Sequence, residues 1–328
     1  MRAKGTIIQH RETGLFGQEL IKMRVMLRTL LYLVVFSSLA VAAPPVQPGQ
    51  RILFLGDSIT QGSQYVSCID AALIMASPGV SYDVICAGLS SETVSGLSEP
   101  GHAGGKFPRP DLHERLDRAL EKTKPDLVLA CYGMNDGIYM PLSEERFKAF
   151  RDGMTKLHEK AIAAGAKIIH LTPPVFDPQP IAAKVDDSGE PGKTFRNYND
   201  VLGRYAEWLI EQRKNGWEVI DVHGAMTAAL AAERAKDPAF TYSKDGIHPN
   251  DAGHQVMAQP VLDTWAIIAK PSPEFIKLVH QKTCVLRDAW LSEIGHKRPG
   301  VKPGLPLAEA NLKAEEFDAQ ARKLAATK

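Results

Sequence analysis

The stretch Ile52-Leu53-Phe54-Leu55-Gly56-Asp57-Ser58-Ile59-Thr60 decides the fold. An unbroken apolar run stops at Gly-Asp-Ser and passes into a short polar turn with Gly62. The run has no polar face, so it reads as a strand buried on both sides, as strands of parallel sheets are. In open parallel sheets the ligand crevice lies beyond the carboxyl ends of the strands. Ser58 stands at that edge with its hydroxyl available for chemistry. Taken alone, Gly-Asp-Ser is equally an ordinary strand-to-helix turn with Ser58 as N-cap. Its meaning depends on partners further along the chain.

Outward from this strand, apolar runs of the same kind recur at 82–86, 127–132, 167–171 and 218–222. Helical patterns fill the gaps. Residues 64–76 carry Ile69, Leu73 and Ala76, and 111–122 align Leu112, Leu116 and Leu120 on one stripe. A helix from about 143 to 164 stops at Gly165, and Asn199 caps one with Val201, Leu202, Tyr205, Trp208 and Leu209. Residues 224–236 and 250–270 supply two more. Strand alternating with helix predicts an α/β protein with a five-stranded parallel sheet covered on both faces. The polar stretches 89–110 and 175–195 follow strand ends and are the natural places for substrate selection. After Lys270 come a helical stretch at 272–293, a basic Gly/Pro-rich connector and an Ala/Lys/Glu-rich helix at 307–327. They read as a C-terminal helical extension, 271–328, packed on the domain without a core of its own.

The bulk numbers exclude several classes. The 328 residues carry 39 Lys and Arg against 38 Asp and Glu, a formal charge of +1. That gives no electrostatic footprint for nucleic acid and no acidic tail. Apolar content of 44% and charged content of 23% are ordinary for a globular chain. Near the start, Met23-Arg24-Val25-Met26-Leu27-Arg28 is basic, an apolar run follows, and Ala40-Val41-Ala42 has the small-x-small pattern of a signal-peptidase site. The uncharged run from Thr29 to Ala43 is shorter than the ~20 residues a spanning helix needs. Residues 1–43 therefore read as an N-terminal extension, with Met23 a candidate start, and a secretory signal cleaved after Ala42 or Ala43. The chain is expected to be exported, periplasmic or secreted, without stable membrane insertion. An uncleaved membrane anchor is the alternative. Residues 44–270 form the main domain.

The partners of Ser58 emerge at Lys244-Asp245-Gly246-Ile247-His248-Pro249-Asn250. Gly246 allows a tight turn, and Pro249 disfavours helical dihedrals at His248. Asp245 can then hold one imidazole nitrogen while the other stays free. A serine nucleophile needs such a base, an orienting carboxylate, and donors for the developing oxyanion. Asn135, after the third strand, supplies a neutral amide. Gly88, after the second, brings a backbone N–H without a side chain in the way. The N–H of Ser58 is a third donor, at a helix start that favours negative charge.

These four blocks, Gly56-Asp57-Ser58-Ile59-Thr60, Gly88, Gly133-Met134-Asn135-Asp136 and Asp245-Gly246-Ile247-His248-Pro249, resemble in order those of the SGNH (GDSL) hydrolases over roughly 50–270. The resemblance implies a three-layer α/β/α flavodoxin-like sandwich and ester hydrolysis without a metal or other cofactor. Carried over by position, it implies Ser58 as nucleophile, His248 as general base and Asp245 as its orienting carboxylate, with Ser58, Gly88 and Asn135 as the oxyanion hole. One block departs from the usual Asn-x-Gly-x-x-Gly-x-Thr: Cys86 stands at the Asn and Ser91 at the second Gly, while Thr93 matches.

The other polar residues have plainer readings. Asp57 and Asp136 tie down their own turns. Asp221 and His223 form a rival pair, but no serine with an oxyanion glycine accompanies them. His254 is an early-helix histidine, and Trp208, Trp265 and Trp290 are packing residues. His102, Arg109 and Arg196, on the two selective loops, are the candidate substrate-binding side chains. Cys68, Cys86, Cys131 and Cys284 show no metal spacing. In a flavodoxin-like sheet the first strand separates Cys86 from Cys131 by roughly 10 Å, too far for a disulfide; a Cys68–Cys86 bridge stays open. The expected function is an exported serine esterase acting on short acyl, above all acetyl, esters of a small molecule or polysaccharide. The alternatives are a lipid esterase or lysophospholipase, a sugar acyltransferase, or a catalytically silent carbohydrate-binding or envelope protein that keeps the fold.

Overall fold

Five parallel strands carry the architecture: β1 (Arg51–Gly56), β2 (Asp83–Cys86), β3 (Leu127–Cys131), β4 (Lys167–Leu171) and β5 (Glu218–Ile220). The computed structural model describes residues 46–190 and 192–327. The leader expected at 1–43 lies outside them. The strands stand in the order β2-β1-β3-β4-β5, so the fold is the three-layer α/β/α sandwich with flavodoxin-like order. Leu53, Phe54, Leu55, Val128, Leu129 and Ala130 are fully buried, as central strands covered on both faces require.

The chain steps left from β1 to β2 and then right through β3, β4 and β5. Right-handed crossovers place the first connecting helix on one face and the later ones on the other. The first face holds α1 (Ser58–Gln61) and α2 (Gln64–Ala76); the second holds α3 (Leu116–Thr123), α4 (Glu144–Ala163) and α5 (Tyr198–Glu211). Beyond β5 come α6 (Val222–Arg234) and α7 (Asp251–Thr264), the latter packed on α2. The insertion after β4 holds a two-residue ladder, Val185–Asp186 with Thr194–Phe195.

Two expected boundaries move, each for a polar reason. Asn199 does not cap α5; the N-cap is Asn197, and Asn199 Oδ1 instead accepts from the Phe176 amide at 2.9 Å. The fifth strand ends at Ile220 because Asp221 caps α6, accepting from Gly224 N at 2.9 Å. Asn250 does cap α7, through Gly253 N at 2.9 Å. All four cysteines are free, so the Cys68–Cys86 bridge does not form.

The C-terminal helices α8 (Pro273–Ile294) and α9 (Leu307–Ala326) pack on α2 and on each other. Phe275 and Val279 bury against Ala71, Ile74, Ala321 and Ala325 in a small cluster separate from the main core. A buried ion network supplements it: Lys282 Nζ lies 2.7 Å from Asp70 Oδ2 and 3.0 Å from Asp318 Oδ1. Among the described residues no helix is long and apolar enough to cross a membrane.

Asp70 is almost wholly buried, so removing its cation strands a charge in the interior. Lys282→Met is expected to destabilise the fold by about 3–5 kcal/mol in urea unfolding. Adding Asp70→Leu should restore most of that loss. A single-variant loss below about 1 kcal/mol would show that the pair does not anchor α8.

Candidate active site

Ser58 opens α1 directly beyond β1. Asp57 caps the helix, its Oδ1 accepting from the Ile59 amide at 2.9 Å. The cap leaves Ile59 and Thr60 buried and Ser58 part-exposed. Ser58 Oγ lies 2.8 Å from His248 Nε2, and His248 Nδ1 lies 2.7 Å from Asp245 Oδ2. A carboxylate facing Nδ1 holds the imidazole proton there and leaves Nε2 to accept from the serine hydroxyl.

The turn that presents His248 is fixed by its own carboxylate. Asp245 Oδ1 accepts from Ile247 N at 2.9 Å, His248 N at 2.8 Å and Ser243 Oγ at 2.9 Å. Burial pushes this carboxyl up, but the bonds from His248, Ile247 and Ser243 outweigh it and hold it well below the usual carboxylate range. Gly246 has φ 79°, and a Cβ there would lie 2.5 Å from the Asp177 carbonyl oxygen. Glycine thus serves both the left-handed backbone and the close approach. Asp177, in turn, accepts from Arg234 Nη2 and Thr241 Oγ1.

The loop after β2 lies against α1. At Gly88 a Cβ would fall 2.4 Å from Gln61 N, so no larger residue fits. Ser91 has a left-handed backbone, with φ 66°. Cys86 donates its thiol to Thr60 O at 3.2 Å and accepts from Ser63 Oγ at 3.4 Å, tying β2 to the Ser58 turn. Gln61 Oε1 receives both the amide, at 2.8 Å, and the hydroxyl of Ser90.

Asn135 follows β3 and is only 4% exposed. Its Oδ1 accepts from Arg109 Nη1 at 2.8 Å and from the Tyr139 hydroxyl at 3.1 Å. Its Nδ2 donates to Glu92 O at 3.2 Å, which leaves one amide N–H. Asp136 Oδ1 pins the neighbouring loop by accepting from Val94 N and Ser95 N, both at 2.9 Å.

The three loop residues expected to meet substrate differ in placement. Arg109 is turned inward, its Nε and Nη2 on Glu99 at 2.6 and 2.8 Å and its Nη1 on Asn135. Its side chain is thus buried and paired with Glu99 and Asn135. His102 Nδ1 lies 3.0 Å from Glu99 Oε1, and its ring meets Phe107 edge-on. Arg196 is part-buried and bonds Asp187 Oδ2 and Val185 O, both at 3.2 Å. The rival Asp221 and His223 do not pair: Asp221 Oδ1 accepts from Thr172 Oγ1, and His223 Nδ1 lies 3.2 Å from Pro173 O. His254 is buried and stacked on Tyr65; burial pushes it down to about 4.

Several supporting residues carried no sequence signal. Glu92, whose carbonyl receives the Asn135 amide, is clamped by Arg115 at 2.6 and 2.7 Å and by Tyr132 at 2.7 Å. From the C-terminal extension, Arg287 Nη1 donates to Gln61 O and Arg298 Nε to Ser90 O, each at 2.8 Å. Among the described residues, no group of three or more His, Cys, Asp and Glu is set to hold a metal ion.

The profile of the GDSL-like lipase/acylhydrolase family matches residues 54–256. No curated protein matches the chain. Among solved structures, a gut microbial diltiazem-metabolizing enzyme is similar at 24% identity and a TM-score of 0.53, over 68% of this chain and 48% of that one. This chain thus spans about half of that enzyme's length. A catalytic mutant of an acetylxylan esterase from Geobacillus stearothermophilus is 18% identical with a TM-score of 0.50, over 69% of this chain and 99% of that one. A second catalytic mutant of that esterase is 19% identical, with a TM-score of 0.51 and the same coverage. At these identities the likeness is one of fold.

The Asp57–Ser58 turn carries a pH signature. Burial pushes the Asp57 carboxyl up to about 7, against the Ile59 amide bond and His248, which pull it down, and with Asp136 and Glu92 adding to the rise. An unfolded aspartate ionises near ~3.9, so the folded state holds this proton more tightly. The resulting stability is complete below that value and is lost as pH rises through about 7. Asp57→Asn keeps the capping oxygen and cannot ionise. Its melting temperature should exceed that of wild type by clearly more at pH 8 than at pH 5. An equal deficit at both values would show that Asp57 does not titrate in this way.

Proposed function

The chain belongs to the GDSL-like lipase/acylhydrolase family and is a carboxylic ester hydrolase; on that footing we propose an exported serine esterase that removes short acyl groups, acetyl above all, from carbohydrate. The observation that carries the mechanism is the unbroken line Asp245–His248–Ser58, at 2.7 and 2.8 Å. Ser58 Oγ attacks the ester carbonyl carbon as its proton passes to His248 Nε2. The negative oxygen that develops is met by the N–H groups of Ser58 and Gly88 and by the free N–H of Asn135 Nδ2. His248 returns the proton to the leaving alcohol. Water, deprotonated by the same nitrogen, then releases the acid and restores the serine. Asp245, held ionised, orients the imidazole and stabilises it when protonated.

The substrate class draws on exposure. The side chains of His248 and Asp245 are 48% and 54% exposed, so a solvated polymer can reach the reacting atoms. A long acyl chain would call for an enclosed apolar pocket. A fold shared with an acetylxylan esterase is in keeping with this reading. The basic-then-apolar pattern at 23–43 supports export. In this reading 44–270 is the hydrolase domain and 271–328 the helical extension. Arg196 and His102 are the side chains assigned to the sugar.

Release of p-nitrophenol from its acetate tests the mechanism. Ser58→Ala should lose about a thousandfold or more of wild-type kcat. Equal turnover by the two proteins would overturn the esterase assignment. Across esters from acetate to palmitate, kcat/KM should fall with chain length; a preference for long chains would overturn the carbohydrate reading and leave lipid hydrolysis.

A further inference from the structure

We propose that Asn135 is a charge-assisted oxyanion donor, and that Arg109 and Tyr139 are the positioning residues that make it one. This rests on the assignment of Asn135 to the oxyanion site made above. A guanidinium only donates, so the carboxamide atom facing Arg109 Nη1 at 2.8 Å is the oxygen. The Tyr139 hydroxyl occupies the second lone pair at 3.1 Å. A flip of the amide would turn its NH2 group against both donors and strand the Glu92 carbonyl. The orientation is therefore locked, with one N–H on Glu92 O and the other left for substrate.

The lock also changes the donor. A cation on the amide oxygen draws charge from the nitrogen and strengthens the remaining N–H as a donor. The effect is largest where water is excluded, and Arg109 and Asn135 are both buried. Arg109 is built for this place. Glu99 balances its charge through a two-pronged pair at 2.6 and 2.8 Å. Burial pushes the Glu99 carboxyl up, yet the bond from Arg109 prevails and holds it low. The Arg109 amide is itself fixed by Ser98 Oγ at 2.9 Å.

Backbone strain points the same way. Ile138 and Tyr139 are consecutive non-glycine residues with φ of 47° and 57°. Left-handed backbone at a β-branched residue is costly and persists only where the surroundings enforce it. Here it brings the Tyr139 hydroxyl to Asn135 and the Tyr139 ring to 5.4 Å from the Arg109 guanidinium carbon. Phe195 N donates to Tyr139 O at 2.8 Å, and the Tyr139 and Tyr198 rings pack with centroids 4.9 Å apart.

Steady-state hydrolysis of p-nitrophenyl acetate by Arg109→Met, Tyr139→Phe, Asn135→Ala and the two doubles with Asn135→Ala tests the coupling. Arg109→Met should lower kcat about tenfold or more, and Tyr139→Phe severalfold, with KM within about twofold. Both costs should vanish in the Asn135→Ala background, which a merely structural role would not produce. Tyr139→Phe keeps the ring and its packing, so its cycle decides the matter if Arg109→Met does not fold. Losses that add in the doubles, or that fall on KM alone, would overturn the proposal and leave the esterase reading intact. An Asn135→Ala variant as fast as wild type would instead remove the oxyanion assignment and the proposal with it.

Discussion

The site depends on the parallel register of three strands. Phe54 stands opposite Cys86, and Gly56 opposite Cys131. Leu89 N still reaches Gly56 O at 2.8 Å beyond the ladder. With that register the chain leaves β1, β2 and β3 at one level, and Ser58, Gly88 and Asn135 follow within a few residues. A slip of one residue would reverse every side chain in a strand. Both faces of β1 and β3 are packed, so the slipped side chains would no longer fit the layers that cover them. The same burial that makes the strands core therefore levels the groups of the site.

On this edge the carboxylates fall into two classes. Asp245 is half exposed, surrounded by donors, and held ionised. Asp57 and Asp136 are wholly enclosed. Burial lifts them to about 7 and about 6, although each accepts backbone amides. Their first task is to fix main chain: Asp57 caps α1, and Asp136 gathers the loop after β2. Negative charge is thus held firmly at Asp245, beside the His248 imidazole, and disfavoured at the two buried carboxylates.

The strands and most helices were legible in the sequence because burial writes a periodic pattern into neighbouring residues. The serine, aspartate and histidine were legible because each sits in a short motif with its own turn chemistry. Polar competition at element ends was not. Asp221 ends β5 by capping a helix, and Asn199 reaches back to Phe176. Arg109 stood out as a loop cation, but its direction depends on Glu99 and Asn135, which only the folded chain brings together. The same holds for Glu92, whose backbone oxygen rather than its charge meets Asn135. The contacts of Asn199, Arg109 and Glu92 join residues 10 to 43 positions apart and leave no local pattern.

Arg298 sits in the connector between the two C-terminal helices, yet it holds the carbonyl of Ser90, two positions beyond Gly88. Its guanidinium also lies over the Phe107 ring at 5.4 Å. Arg287 meanwhile grips the last carbonyl of α1. A change in connector length would therefore be transmitted to the loop after β2. Shuffling the family's common core into another chain without α8 and its connector would carry over the motifs but not their supports.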